Sequence, residues 1–172
     1  RGLRAAQLEQ RKMCIWTSTH ARRVLCHGWH VAAPGSMALP PCHMVYQYHV
    51  TSDGRLNCLL FRRSVDLLLG AAFNYVGATA LQLMLAQQAG LRPGELVWVG
   101  GDVHLYLNHL DQAREQLSRD PRPLPKMKLL RHADSIDDYR FEDFEVEGYD
   151  PHPCPLHTSD AADQPLCDSA PA

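Results

Sequence analysis

Several ingredients are scarce in this chain of 172 residues, and each scarcity closes off a class of protein. There is no C-x-x-C pair, and no apolar run approaches the eighteen or so residues of a membrane-spanning helix, so neither a paired-cysteine metal module nor a membrane span is expected. Aromatic residues reach only 8%, and none are interleaved with a basic cluster. That leaves no stacking platform for single-stranded nucleic acid. Basic residues almost vanish after residue 133: from Asp134 onward there are 11 acids against the single Arg140, whereas residues 1–133 hold 16 basic and 8 acidic residues. A net charge of −2 divided in this way excludes a uniformly basic nucleic-acid coat. The six cysteines (Cys14, Cys26, Cys42, Cys58, Cys154, Cys167) are dispersed along a chain long enough to bury a core without staples. No signal peptide precedes them, so reduced thiols and a cytoplasmic protein are expected, with no metal. An opening on Arg1 rather than Met reads as part of a longer polypeptide.

What is present is organised. Residues 1–21 have no clean period and read as a divergent arm. Val24, Leu25, Cys26 and Trp29 form a strand-like run ended by Ala33-Pro34-Gly35. Cys42 to Val50 and Arg55 to Phe61 are aromatic and β-branched runs around Ser52-Asp53-Gly54, the pattern of an antiparallel hairpin. Phe73, Val76, Ala80, Leu81, Met84 and Leu85 recur at three- and four-residue spacing, which predicts a helix over 73–89 stopped by Gly90 and, from its low charge, buried centrally. Leu96 to Val99 predicts a strand running into Gly100-Gly101, where a backbone can bend towards a ligand. Asn108 can cap a helix carrying Leu110, Ala113 and Leu117, which Pro121, Pro123 and Pro125 end. Met127 to Leu130 predicts a further strand, and Phe141, Phe144 and Val146 alternate with acids. Residues 154–172, rich in Ser, Asp, Ala and Pro, read as a disordered tail.

Two groups of residues carry chemistry. Cys42 follows Pro40-Pro41 at the start of a strand, with His43 beside it and Arg63 on the paired strand. A guanidinium near a thiol favours thiolate, the form a sulfur nucleophile needs, although a structural cysteine fits the same spacing. Arg22-Arg23 and Arg62-Arg63-Ser64 supply planar forks and a hydroxyl suited to a phosphate dianion, and Asp66, Asn74, His104 and Tyr106 stand on turns near them.

The motifs Met37-Ala-Leu-Pro-Pro-Cys42-His43, Phe61-Arg-Arg63-Ser64-Val65-Asp66, Leu69-Gly70-Ala-Ala-Phe73-Asn74 and Gly100-Gly-Asp-Val-His104-Leu105-Tyr106 together resemble the thymidylate synthase family. So do Gln116 to Pro125 and Tyr139 to Pro153, and the likeness runs over 22–153. The resemblance implies an α+β fold with a large mixed sheet, a buried central helix and a sheet face used for homodimerisation. It implies methylation of dUMP to dTMP with 5,10-methylenetetrahydrofolate as co-substrate, Cys42 adding to C6 of the uracil. Arg63, Ser64, Val65, Asp66, Asn74, His104, Leu105 and Tyr106 would hold dUMP, and Asp66 would also contact the folate. Arg22 and Arg23 would reach the phosphate of the partner subunit.

The same comparison implies departures. The family's N-terminal section, with its catalytic glutamate and folate-pocket tryptophans, is not matched in residues 1–21, and its apolar closing tail is not matched after Pro153. The expectation is therefore a partial catalytic region. A dUMP hydroxymethylase of the same family and a non-catalytic nucleotide-binding or dimerising fragment stand as alternatives.

Overall fold

A computed structural model describes residues 24–29 and 40–154. The expected arm over 1–21, the Arg22-Arg23 pair and the tail beyond Cys154 lie outside the described residues. Four strands form the main sheet: β1 (Leu25–His27), β2 (His43–Val50), β3 (Arg55–Asp66) and β4 (Arg92–His104), side by side in chain order. The β1–β2 and β2–β3 pairs are antiparallel, and β3–β4 is parallel. The parallel pair requires a crossover, which helix α1 (Gly70–Gln88) provides. A second helix, α2 (Leu110–Leu117), follows, and β5 (Lys126–Leu129) with β6 (Phe144–Glu147) form a separate antiparallel ribbon.

The alternation in β3 settles which side of the sheet is the core. Leu56, Cys58 and Leu60 are at most 1% exposed and point to one side. Against them α1 sets Ala71, Ala78, Gln82, Leu85 and Ala86, spaced at sevens, fours and threes. Burying each large aliphatic there contributes about 2 kcal/mol. Pro93 lies opposite Leu56 and brings no N–H to the ladder. The buried Gln82 amide compensates by donating to the carbonyls of Leu56 (2.7 Å) and Glu95 (3.2 Å), and the Glu95 N–H donates to Asn57 Oδ1 (2.9 Å).

Several expectations change. The predicted central burial of the 73–89 helix holds on one side only: Phe73 and Val76 are each 54% exposed among the described residues. The helix has no charges and carries apolar residues on every side, so its sequence could not show which face meets the sheet. The strand expected at 96–99 runs from Arg92 to His104, with Gly100 and Gly101 inside it. Those glycines answer close packing: a Cβ on Gly101 would meet the Arg63 carbonyl oxygen at 3.1 Å, and one on Gly100 would meet the Trp98 ring at 2.8 Å. Asn108 caps nothing. It sits inside a 3-10 turn, Leu107–His109, from which α2 starts, and Leu117 is 86% exposed. Cys26, Cys42 and Cys58 carry free thiols, but Cys154 is disulfide-bonded, contrary to the all-reduced expectation. An even cysteine count allows pairing that spacing alone does not assign.

Candidate functional site

The β3–α1–β4 crossover collects residues distant in sequence at one end of the sheet. Asp66 closes β3 directly opposite His104, the last residue of β4, and Ser64 lies opposite Asp102. Asn74 is the fifth residue of α1, which begins four residues after β3 ends. Because β2 runs antiparallel to β3, its first residue His43 pairs with Arg62, bringing Cys42 to the same end. The carboxyl ends of adjacent parallel strands are where sheets of this kind open to ligands.

The sequence immediately before Cys42 is held from two directions. Arg63 donates from Nε to the Pro41 carbonyl (3.1 Å) and from Nη2 to the Pro40 carbonyl (2.7 Å). Its own backbone N–H donates to the Cys42 carbonyl (3.1 Å), and its guanidinium lies 5.9 Å from the Trp29 ring centre. Two prolines restrict the chain and one arginine fixes it, so Cys42, a half-buried free thiol, stands on constrained backbone. The register shifts between His43 and Val45, an irregularity of the kind that re-aims a side chain next to a site.

His104 Nδ1 lies 3.6 Å from Asp102, and its ring meets Tyr106 edge-on at 5.2 Å. Tyr106 in turn meets the buried His109 edge-on at 5.7 Å. Leu105 joins these groups, and the His104 carbonyl accepts from Leu67 N–H at 3.0 Å. Asp66 Oδ1 accepts from Leu69 N–H at 3.4 Å, tying the strand end to the start of α1. Val65 is 1% exposed and serves as core. His43 stacks at 6.0 Å and nearly parallel to Tyr46. Burial, and secondarily the Arg62 charge, lower the His43 proton affinity, while burial pushes the Tyr46 hydroxyl up to about 12.

Asn74 Oδ1 is buried with no hydrogen-bond partner among the described residues, and so are Arg62 Nε and Nη1 and Trp98 Nε1. The sequence pointed to Cys42, Arg63, Ser64, Asp66, Asn74, His104 and Tyr106, and the fold sets them towards the same end of the sheet. It grouped Arg62 only with a phosphate cluster and read Trp98 as core. The missed signal was alternation: Arg62 continues the inward row Leu56, Cys58, Leu60, which places a cation on the helix side. Arg63 continues Leu59 and Phe61 on the opposite side. Among the described residues no three His, Cys, Asp or Glu side chains gather as metal ligands, and no helix is long and apolar enough to cross a membrane.

Comparison with known proteins points to one family. Residues 2–158 match the family model described as thymidylate synthase. The chain is 77% identical over 137 residues to a thymidylate synthase of Cereibacter sphaeroides, covering 80% of this chain and 46% of that protein. It is 66% identical over 146 residues to a thymidylate synthase of Rhodopseudomonas palustris (85% and 49%), and 66% identical over 133 residues to one of Zymomonas mobilis (77% and 45%). The chain thus spans about half the length of the curated relatives it matches. With a family model covering most of its residues and these relatives at high identity, the chain belongs to the thymidylate synthase family.

Proposed function

We propose that this chain forms the nucleotide-binding and nucleophile-bearing part of an enzyme that methylates dUMP to dTMP, with 5,10-methylenetetrahydrofolate as co-substrate. The observation that carries the reading is the buried Asn74 amide oxygen without a partner, at the same sheet end as the clamped Cys42. An orphaned acceptor is satisfied by a donor, and the uracil N3–H is one. The amide N–H of the same side chain can then donate to O4, a pairing cytosine does not offer.

Cys42 is the nucleophile. Its sulfur bonds to uracil C6, the C5–C6 double-bond pair moves towards O4, and C5 becomes the carbon that attacks. The folate supplies the one-carbon unit and the reducing equivalents. Arg63 and Ser64 bind phosphate, the Val65 and Asp66 backbone follows them along the nucleotide, and His104, Leu105 and Tyr106 form the ribose side. Asp66, half-buried at the strand end, is also the folate contact. Fixing the dianion and ring before bond formation is what this cluster contributes to the rate.

The working unit is a homodimer joined through the sheet face opposite α1. Two cross-strand rows line that face, Leu25–Gln47–Leu59–Val97 and His27–Val45–Phe61–Val99. Leu25, Val97 and Val99 are 43%, 45% and 39% exposed, an apolar surface of the kind that identical subunits cover. Arg63 lies on this side, so a phosphate held by it borders the partner, whose Arg22 and Arg23 complete the charge cluster.

Incubation with dUMP and methylenetetrahydrofolate, followed by mass analysis, tests the reading. dTMP is expected, together with a covalent adduct of Cys42 with 5-fluoro-dUMP. Hydroxymethyl-dUMP as product assigns the hydroxymethylase alternative, and dUMP binding with no adduct assigns a non-catalytic binding fragment.

A further inference from the structure

On the helix side of the sheet, three buried N–H donors from two side chains, Arg62 Nε and Nη1 and Trp98 Nε1, have no acceptor among the described residues. Asn74 Oδ1, a buried acceptor, lacks a donor there. These groups belong to one neighbourhood. Arg62 pairs with His43 on β2 and with Gly100 on β4, the Trp98 ring packs against Gly100, and Tyr75, the residue after Asn74, meets Trp98 at 5.2 Å. Arg62 is only 6% exposed. A guanidinium stays protonated when buried, so it requires an acceptor rather than a change of charge state.

The neighbours on β2 do not supply an anion. Burial, and then Arg62, lowers the proton affinity of His43, and burial pushes the Tyr46 hydroxyl up to about 12. A ligand complementary to these orphans is rich in acceptors and carries one donor. The O4, N3–H and O2 edge of uracil has that sequence of groups; the cytosine edge places an amine where O4 would be.

We propose, resting on the dUMP reading above, that Arg62 is a second pyrimidine-binding residue whose Nε–H and Nη1–H groups donate to uracil O4. When the Cys42 thiolate forms the S–C6 bond, the C5–C6 π pair moves through C4 onto O4 and gives an enolate, with no proton or electron gained or lost. Arg62 holds that negative charge. A proton from water then adds at C5, and loss of the original C5 hydrogen with reopening of the S–C6 bond returns dUMP, exchanged at C5. The same cation faces an amine in dCMP and disfavours it. Arg63 and Arg62 thus divide the nucleotide, one taking phosphate on the open side of the sheet and the other the base on the helix side.

The test is release of tritium from 5-tritiated dUMP in the absence of folate, measured beside calorimetric binding of dUMP and dCMP and a thermal melt of each protein. Arg62→Met is expected to slow release roughly 100-fold, with dUMP affinity changed much less. Its preference for dUMP over dCMP should also fall, with no loss of melting temperature. Arg62→Gln retains a neutral donor and is expected to lie between Met and wild type; it serves as the readout if the Met variant does not fold. Release and dUMP/dCMP preference unchanged in a folded variant overturn the role of Arg62 alone. Absence of release in the wild-type protein overturns the dUMP reading itself and this inference with it.

Discussion

The carboxyl end of the main sheet and the β5–β6 ribbon treat their polar groups in opposite ways. Around the ribbon, charges find partners within the chain. Arg131 Nε donates to Asp143 at 2.6 Å, the Arg140 N–H donates to the same carboxylate at 2.7 Å, Arg122 pairs with Asp150 at 2.7 Å, and Lys128 pairs with Glu147. Arg119 donates to the Pro153 carbonyl at 2.7 Å. At the sheet end, an arginine, a tryptophan and an asparagine carry buried polar atoms that no described group satisfies. Buried polar groups in folded chains are almost always hydrogen-bonded, so a cluster of exceptions marks where stability has been set aside for binding. The ribbon region satisfies its own charges; the sheet end leaves buried polar atoms that the proposed nucleotide would satisfy.

The contrast can be broken or sharpened by substitution. Cys42→Ser should abolish the 5-fluoro-dUMP adduct and lower turnover by roughly 1,000-fold or more while leaving the melting temperature nearly unchanged. A large fall in stability would mean that Cys42 is structural. Leu60→Ala, at a position with no exposure, should do the reverse and cost about 3 kcal/mol in denaturant unfolding. Asn74→Asp should weaken dUMP roughly tenfold to a hundredfold and improve dCMP relative to it, because a carboxylate accepts from the cytosine amine but offers no donor to O4. Calorimetry with both nucleotides decides this.

Two smaller effects concern pH. The hydrogen bond from Arg131, then the Arg140 N–H, holds the Asp143 carboxyl below its ordinary value of 3.8. The folded state therefore binds this proton less readily than the unfolded chain, and the associated stability is present above that value and lost as pH falls below it. Arg131→Met should move the acid-unfolding midpoint upward in a circular-dichroism titration. His43 is also depressed, from an ordinary 6.5, by burial and then by Arg62. Here the unfolded chain takes the proton first, so stability should decline as pH falls through 6.5, and His43→Gln should flatten that slope.

Much of the fold was legible because it follows periodicity. The hairpin around Gly54, whose φ of 78° suits glycine, and the β5–β6 segment announce themselves through alternation and turn chemistry. The motifs were legible in the sequence, and Cys42, Arg63, Asn74 and His104 stand towards the same end of the sheet. What could not be read was facing. An uncharged helix with apolar residues on every side gives no hint of which side meets the sheet, and the paired glycines, taken as a bend towards a ligand, answer packing against Trp98 and the β3 backbone. The roles of Arg62 and Trp98 depend on which neighbours fail to satisfy them, a property of three-dimensional accounting that no local pattern carries.

The parallel pairing of β3 and β4 also sets an order of assembly. In the β2–β3 hairpin, paired residues are six apart at Val50 and Leu56 and nineteen apart at His43 and Arg62, so zippering runs from the turn towards the site. Partners across β3 and β4 are thirty-seven apart at Arg55 and Arg92, so that contact must await a much longer loop closure through α1. The end of the hairpin that carries Cys42 is therefore the last part of it to zip. On the proposed function, a bound nucleotide would act as the clasp on that seam.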